Sequence, residues 1–194
     1  MKSSQTTRTQ QTAPEPQALS LGVASTPFGQ CVIGWVPDGI CSLHFLDELD
    51  ASIASLPQVQ KLVQDLYPDV RAEDDPKQAQ ALCDSIFKAK NTLDPHIRVA
   101  LRGTPFQMKV WQALRQIPFG SVISYGELAA QLGHPKAARA VGTAVAANRI
   151  GYLIPCHRVV RQNGERGQFR WGASRKVAIL EWEARKLAIN PAPR

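Results

Sequence analysis

Between residues 19 and 45 the chain alternates apolar with small or polar residues around Pro37-Asp38-Gly39, a turn signal. Residues 31–36 (CVIGWV) and 40–45 (ICSLHF) are predicted to be the two strands of a hairpin. Over residues 51–67 the apolar positions Ile53, Leu56, Leu62, Val63 and Leu66 recur at helical spacing and stop before Pro68. Residues 72–76 (AEDDP) read as an acidic loop. The helical pattern returns over residues 78–90 through Ala81, Leu82, Ile86 and Phe87, and residues 96–101 suit one more strand. No catalytic constellation stands out in this half, which reads as an α/β scaffold.

The grammar changes at Gly103. Thr104 is a helix N-cap, Pro105 fits the first helical position and Gln107 completes a Thr-x-x-Gln capping box. The predicted helix buries Val110, Trp111, Leu114 and Ile117 and ends at Pro118-Phe119-Gly120. After an extended piece at 121–123, Ser124 and Glu127 form a second capping box, opening a helix through Leu132. Gly133-His134-Pro135 breaks it, and residues 136–148 form the next helix. Ser174 is predicted to cap a final helix to Leu187, with Val177, Leu180, Ala184 and Leu187 inward and Glu181 and Glu183 available. Residues 1–18, rich in Gln, Thr and Ser, read as a disordered tail. The expected organisation is therefore that tail, an α/β unit over 19–98, a mainly α unit over 99–187 containing a helix-turn-helix, and a short tail over 188–194.

Charge sharpens this division. The net charge is +7, but from Leu101 onward there are 15 Lys/Arg against 4 Asp/Glu, and before it 8 against 12. A basic C-terminal half suits a polyanionic partner, most often nucleic acid. The second helix of the pair is almost bare of long side chains apart from Arg139. A major-groove reader needs several side chains that reach base edges. A face of small residues, including Ala138 and Gly142, with Arg139 inserted, suits sequence-independent binding in the minor groove. Packing against a neighbouring helix is the alternative. The four cysteines (Cys31, Cys41, Cys83, Cys156) form no CxxC pair or zinc-spaced cluster, so no metal is expected. With no secretory signal and no apolar run of membrane-spanning length, the expectation is a soluble protein in a reduced compartment, with no membrane partner.

The chemistry concentrates in Ile154-Pro155-Cys156-His157-Arg158-Val159-Val160. A free thiol is mostly protonated near neutral pH and becomes a nucleophile when a neighbour takes its proton or stabilises the anion. His157 is the candidate base, and Arg158 adds positive charge that favours thiolate. The alternative is a buried cysteine beside a satisfied core histidine. A glycine-punctuated loop over residues 161–172 follows, with Arg161, Arg166, Arg170, Phe169 and Trp171.

These segments together resemble the methylated-DNA–protein-cysteine S-methyltransferases, the O6-alkylguanine repair proteins. The resemblance is carried by GTPFQ..VWQAL (103–114), IPFGSVISYGELA (117–129), PKAARAVG (135–142), Asn148, IPCHRVV (154–160) and RWG..RK (170–176). It covers nearly all of residues 102–183. The first half is similar to the family's ribonuclease-H-like N-terminal domain through GQCVIG and GICSLHFLD. The likeness is to the C-terminal part of bacterial adaptive-response proteins, without their cysteine-rich regulatory part, which implies repair without the transcriptional switch. It also implies a winged-helix-like C-terminal domain, no cofactor, a monomer, a bacterial cytoplasmic (nucleoid-associated) setting, and double-stranded DNA carrying O6-alkylguanine as partner.

Carried over by residue, the resemblance makes Cys156 the alkyl acceptor and His157 its base through an ordered water. Glu183 orients His157, and Asn148 positions the segment before the cysteine. Arg139 takes the place of the extruded nucleotide, while Tyr125 rotates the 3′ phosphate and protonates the leaving purine. Ala138, Gly142 and Arg158 join the DNA contacts. Val159 and the loop residues Gln168, Phe169, Arg170 and Trp171 line the guanine pocket. Phe169 stands where the family usually has tyrosine, so its ring stacks but donates no hydroxyl hydrogen bond. The implied function is single-use transfer of a methyl group from O6-methylguanine, with O4-methylthymine a second substrate. A binding module without an acceptor, a cysteine hydrolase and an operator-reading transcription factor are the rivals. The first lacks an equivalent of Cys156. The second needs an oxyanion hole that no glycine cluster before Cys156 supplies. The third predicts sequence preference instead of lesion preference.

Overall fold

The computed structural model describes residues 18–46, 55–88 and 97–189. Strands β1 (Leu19–Thr26), β2 (Gly29–Val36) and β3 (Gly39–Phe45) form an antiparallel meander, and β4 (Ala72–Asp74) adds parallel to β1, giving the order β3-β2-β1-β4. Side chains alternate across β2. Cys31 and Ile33 enter a core shared with the C-terminal half, while Val32 and Val36 enter a smaller one with Leu19, Leu21, Val59, Val63 and Tyr67. Helix α1 (Leu56–Gln64) covers that smaller face. Helix α2 (Pro76–Lys88) lies on the other, packed closely on β1. That approach needs Gly22, because a Cβ there would sit 2.8 Å from Ala79 Cβ and from Asp75 O.

The hairpin at Pro37-Asp38 forms as predicted, and β1 adds a third strand before it. The acidic loop over 72–76 instead contains β4. Its polar side chains hid it, since an edge strand pairs by backbone alone and tolerates charge outward. The strand expected over 96–101 reduces to one bridge, Val99 to Ile40, flanked by Ile40 N to Arg98 O (2.9 Å) and Ala100 N to Ile40 O (2.8 Å). Residues 51–54 and 89–90 of the two predicted N-terminal helices, residue 96, tail residues 1–17 and residues 190–194 lie outside the described residues.

The C-terminal half is helical: α3 (Pro105–Leu114), α4 (Tyr125–Gln131), α5 (Ala138–Ala146) and α6 (Ala173–Ile189). Both predicted capping boxes form, Thr104 with Gln107 and Ser124 with Glu127. Two corrections fall on α6. Ser174 lies inside the helix, which begins at Ala173, and the predicted tail over 188–194 starts within it. The inward face is also displaced. Lys176, Ile179 and Glu183 are buried, whereas Ala184 is exposed and Val177, Leu180 and Leu187 are half-buried. Apolar periodicity misplaced this face because two of its three buried residues are charged.

The halves share one core. Leu43 N donates to Arg149 O (2.9 Å) and Gly151 N to Leu43 O (2.8 Å), stitching β3 to the segment after α5. Arg175 of α6 donates to Phe28 O (3.0 Å) and Leu46 O (3.1 Å). Among the described residues no helix is long and apolar enough to cross a membrane.

Candidate functional site

Helices α4 and α5 pack as a helix-turn-helix, with α5 held from behind by Trp111 Nε1–H donating to Ala144 O (2.8 Å). The outer side of α5 carries Arg139, Ala140, Thr143 and Ala146, all exposed, next to exposed Lys136. Ala138 and Gly142 are half-buried, and the Gly142 Cβ position is 3.7 Å from the Tyr125 ring. Arg139 thus stands as a long cation on a low-profile surface.

Asn148 follows α5 directly and is 1% exposed. Its Oδ1 accepts from Ile150 N (2.9 Å), and its Nδ2 donates to Ile154 O (3.0 Å) and Cys156 Sγ (3.2 Å). One amide therefore joins the end of the helix-turn-helix to the thiol. Cys156–Arg158 form a 3-10 turn, and β6 (Val159–Val160) pairs parallel with β5 (Ile123–Ser124), which leads straight into α4. The thiol and the helix-turn-helix are thereby built on one frame.

Behind Cys156 lies a buried ionic cluster. Glu183 accepts from His157 Nε2 (2.9 Å), Arg158 Nη2 (2.8 Å), Arg158 Nε (3.1 Å) and Gly120 N (2.9 Å). Burial alone would raise the Glu183 pKa, but the His157 and Arg158 hydrogen bonds outweigh it and hold the carboxyl at about 2. An ionised carboxylate only accepts, so Nε2 carries the imidazole proton and Nδ1 presents a lone pair. Burial lowers the His157 pKa, against the pull of Glu183, which keeps the ring neutral. Among the described residues His157 Nδ1 is buried without a hydrogen-bond partner, and Cys156 Sγ is bonded to Asn148 rather than to it. The Cys156 thiol is pushed up by burial, with Asn148, Lys176 and Arg170 opposing, so it rests protonated.

Cys156 opens onto a cleft of about 280 Å³ lined by Tyr125, Val145, Ala146, Asn148, Gln168, Phe169 and Arg170. Phe169 is one wall, edge-on to Trp171 (5.1 Å) and to His157 (6.4 Å). Arg170 closes another by donating from Nε (3.1 Å) and Nη2 (2.9 Å) to Ala146 O at the end of α5. Burial raises the Tyr125 pKa, with Cys156 adding to the effect, so its hydroxyl keeps its proton.

The structure places Cys156, His157, Asn148, Glu183, Tyr125, Gln168, Phe169 and Arg170, all named from the sequence, around one cleft. Three assignments need correction. Arg158 is not on a DNA-facing surface: it is 5% exposed, clamped on Glu183, and donates from Nη1 to Ile117 O (2.7 Å). Its charge is spent on that carboxylate rather than on favouring thiolate. Val159 and Trp171 are 0% and 1% exposed and stand behind the cleft instead of lining it. Trp171 supports the wall, with Nε1–H donating to His44 Nδ1 (3.2 Å).

Missed from sequence were Val145, Ala146 and Lys176. Lys176 is fully buried, donates to Val159 O (2.6 Å), and is brought down to about 8 by burial, with the Cys156 charge opposing. A lysine in the basic first turn of α6 carries no sign of burial, so although the RWG..RK segment includes it, no sequence signal placed it in the site. Among the described residues no three His, Cys, Asp or Glu side chains converge as metal ligands.

Residues 105–185 match the family model described as 6-O-methylguanine DNA methyltransferase, DNA binding domain. The chain is 37% identical over 172 residues to the bifunctional transcriptional activator/DNA repair enzyme Ada of Escherichia coli, covering 88% of this chain and 47% of that protein. It is 54% identical over 87 residues to the methylated-DNA–protein-cysteine methyltransferase of Salmonella typhimurium (45% of this chain, 51% of that one). The chain spans about half the length of these curated relatives. Among solved structures, the O6-methylguanine methyltransferase of Mycobacterium tuberculosis superposes with a TM-score of 0.71 at 30% identity, covering 90% of this chain and 96% of that one. The M. tuberculosis OGT in complex with DNA gives 0.68 at 30% identity, covering 86% and 94%. With the Cys156–His157–Glu183 arrangement and the helix-turn-helix on one frame, the chain belongs to the methylated-DNA–protein-cysteine methyltransferase family.

Proposed function

We propose that this protein repairs duplex DNA by moving the alkyl group of O6-alkylguanine, and also of O4-methylthymine, onto Cys156 Sγ in a single irreversible event. The observation that carries this reading is a thiol at the floor of a base-sized cleft, with a neutral imidazole held by an ionised carboxylate behind it. A methyl on guanine O6 is out of reach inside the stack, so the nucleotide must leave the helix, at a cost of a few kcal/mol. Arg139 on the low-profile face of α5 fills the space it vacates, Tyr125 rotates the 3′ phosphate, and basic residues on phosphates supply binding energy without sequence readout.

His157 Nδ1 takes the thiol proton through a bridging water, and Glu183 stabilises the imidazolium. The Sγ–CH₃ bond forms as the CH₃–O6 bond breaks. The electron pair goes to the purine, which takes a proton from the Tyr125 hydroxyl. The proton held on His157 then returns to solvent and Tyr125 is reprotonated. No side chain in the cleft can cleave the resulting thioether, so each molecule acts once, with no cofactor.

The strand order β3-β2-β1-β4 supports a ribonuclease-H-like N-terminal unit, and the β5–β6 pair beside the helix-turn-helix supports a winged-helix-like C-terminal one. We divide the chain at 98/99 on this basis. The working form is a monomer on nucleoid DNA in a bacterial cytoplasm.

The test is intact-protein mass after incubation with a duplex carrying one O6-methylguanine, for wild type and Cys156→Ala. A stoichiometric gain of one methyl, absent from the variant, is expected. Tight lesion binding without mass gain would replace transfer with a binding function.

A further inference from the structure

Four residues before the acceptor thiol the backbone takes a conformation few residues adopt. Tyr152 has φ 64°, a positive value that no other non-glycine residue among those described shares. A bulky residue stays in this left-handed region only where its surroundings over-determine it. They do so here. Gly151 N is tied to Leu43 O, Leu153 N donates to Gly151 O (2.7 Å) and Ile154 N to Ile150 O (3.1 Å), turning the chain back on itself.

The turn buries the Tyr152 ring to 4% exposure and lays it parallel to the His157 imidazole, with centroids 5.9 Å apart and planes 8° apart. Around the tyrosine stand Phe87 of α2 (4.6 Å), Trp182 of α6 (6.1 Å) and Phe28 of the β1–β2 turn (6.3 Å). Two of these three braces come from the N-terminal half.

An imidazole held through its Cβ and a hydrogen bond at Nε2, with the Phe169 ring edge-on to it, still rocks about the line joining those two points. That motion swings Nδ1, the atom with no partner of its own. A parallel ring alongside removes the freedom. We propose that Tyr152 is a positioning residue for alkyl transfer, its ring braced by Phe87, Phe28 and Trp182 so that it fixes the His157 plane, with Nε2–H on Glu183 and Nδ1 held ready for the proton. This rests on the reading of His157 as the base. It also gives the N-terminal half a part in the reaction beyond scaffolding.

The other groups that set the charge of His157 are Glu183 and Lys176 on α6 and Arg158 beside it. Burial is the largest influence and lowers its proton affinity, as do Arg158 and Lys176; Glu183 opposes them. Taking the tyrosine ring away admits water, so imidazolium persists to higher pH and the acid limb of the rate profile moves up.

The experiment uses the full chain. Single-turnover transfer from an O6-methylguanine duplex is followed against pH, and the ¹⁵N shifts of His157 are read in unreacted protein. Tyr152→Phe keeps the ring and is expected to react within about twofold of wild type, with unchanged nitrogen shifts. Tyr152→Leu is expected to slow transfer roughly tenfold, raise the acid limb and broaden the Nε2–H tautomer signal. Phe87→Leu removes only a brace and moves each readout the same way, by less. A Tyr152→Leu protein with wild-type rate, pH profile and nitrogen shifts overturns the proposal. If that variant does not fold, a Phe87→Leu protein with all three unchanged overturns it instead. A wild type that transfers nothing refutes the repair reading, while the nitrogen shifts still decide whether Tyr152 holds the ring.

Discussion

Two buried cysteine environments in this molecule differ in one respect that decides their chemistry. Cys31 of β2 and Cys83 of α2 touch at 3.5 Å between sulfurs, and among the described residues the Cys31 thiol has no other hydrogen-bonding side chain on it. Contact with Cys83, then burial, drives the Cys31 pKa far up, so that thiol stays protonated and packs as a small hydrophobe. Cys156 is equally sheltered, at 6% exposure, but it receives an amide N–H from Asn148, has buried Lys176 nearby, and sits next to an imidazole whose Nδ1 has no hydrogen-bond partner among the described residues. A thiol neighbour together with burial keeps Cys31 inert. A satisfied polar shell with one unsatisfied acceptor makes Cys156 ready to react.

The sharpest way to break this contrast is at Glu183. Glu183→Gln removes the charge that orients His157 and strands Arg158 as a buried unpaired cation, and is expected to slow transfer by about 100-fold or more. It should also cost roughly 3–5 kcal/mol of stability, measured by urea unfolding. Asn148→Ala removes the hydrogen bond to Sγ and three backbone ties, with Ile150 N, Ile150 O and Ile154 O. A rate loss of about tenfold and destabilisation of about 1–3 kcal/mol are expected, read by quenched-flow transfer and thermal melting.

Acid should act on the same cluster. Glu183 is depressed from 4.5 to about 2, so its contribution to stability is in full effect above about pH 4.5 and is lost as pH falls toward 2. Unfolding midpoints measured across that window should fall more steeply in wild type than in Glu183→Gln. On the other side of the comparison, Cys83→Ala should leave the transfer rate unchanged and cost about 1–2 kcal/mol by loss of packing. A transfer defect in Cys83→Ala would show that the two thiol sites are linked. The smallest effect is expected at Gly142→Ala. The added Cβ would meet the Tyr125 ring at an ordinary 3.7 Å, so binding to lesion-bearing duplex, followed by fluorescence anisotropy, should change less than about twofold.

Much of the site was legible along the chain because its signals are local. The capping boxes at Thr104 and Ser124, the break at Gly133, the small-residue helix around Arg139 and the Pro155-Cys156-His157 run need only a few neighbouring residues to be read. Three of the errors are cases in which a charged or polar residue is buried or used by a distant partner. Arg158 reads as a surface cation until Glu183, 25 residues on, is seen to bond it. Strand β4 reads as an acidic loop until β1 pairs with it. The α6 face reads one step off until Lys176 and Glu183 prove to be its inward charges.

By itself the sequence determined the segment order, the capped starts of α3 and α4, the basic half and the Cys156-His157 pair as candidate nucleophile and base, because propensity, capping and side-chain chemistry belong to residues and their near neighbours. Tertiary structure alone decided which imidazole nitrogen is free, where Arg158 spends its charge, that Lys176 is buried on Val159 O, and that Phe87 of the first half reaches His157 of the second through Tyr152. Those outcomes depend on desolvation and on pairings across many residues, which exist only once the two halves have closed around a common core.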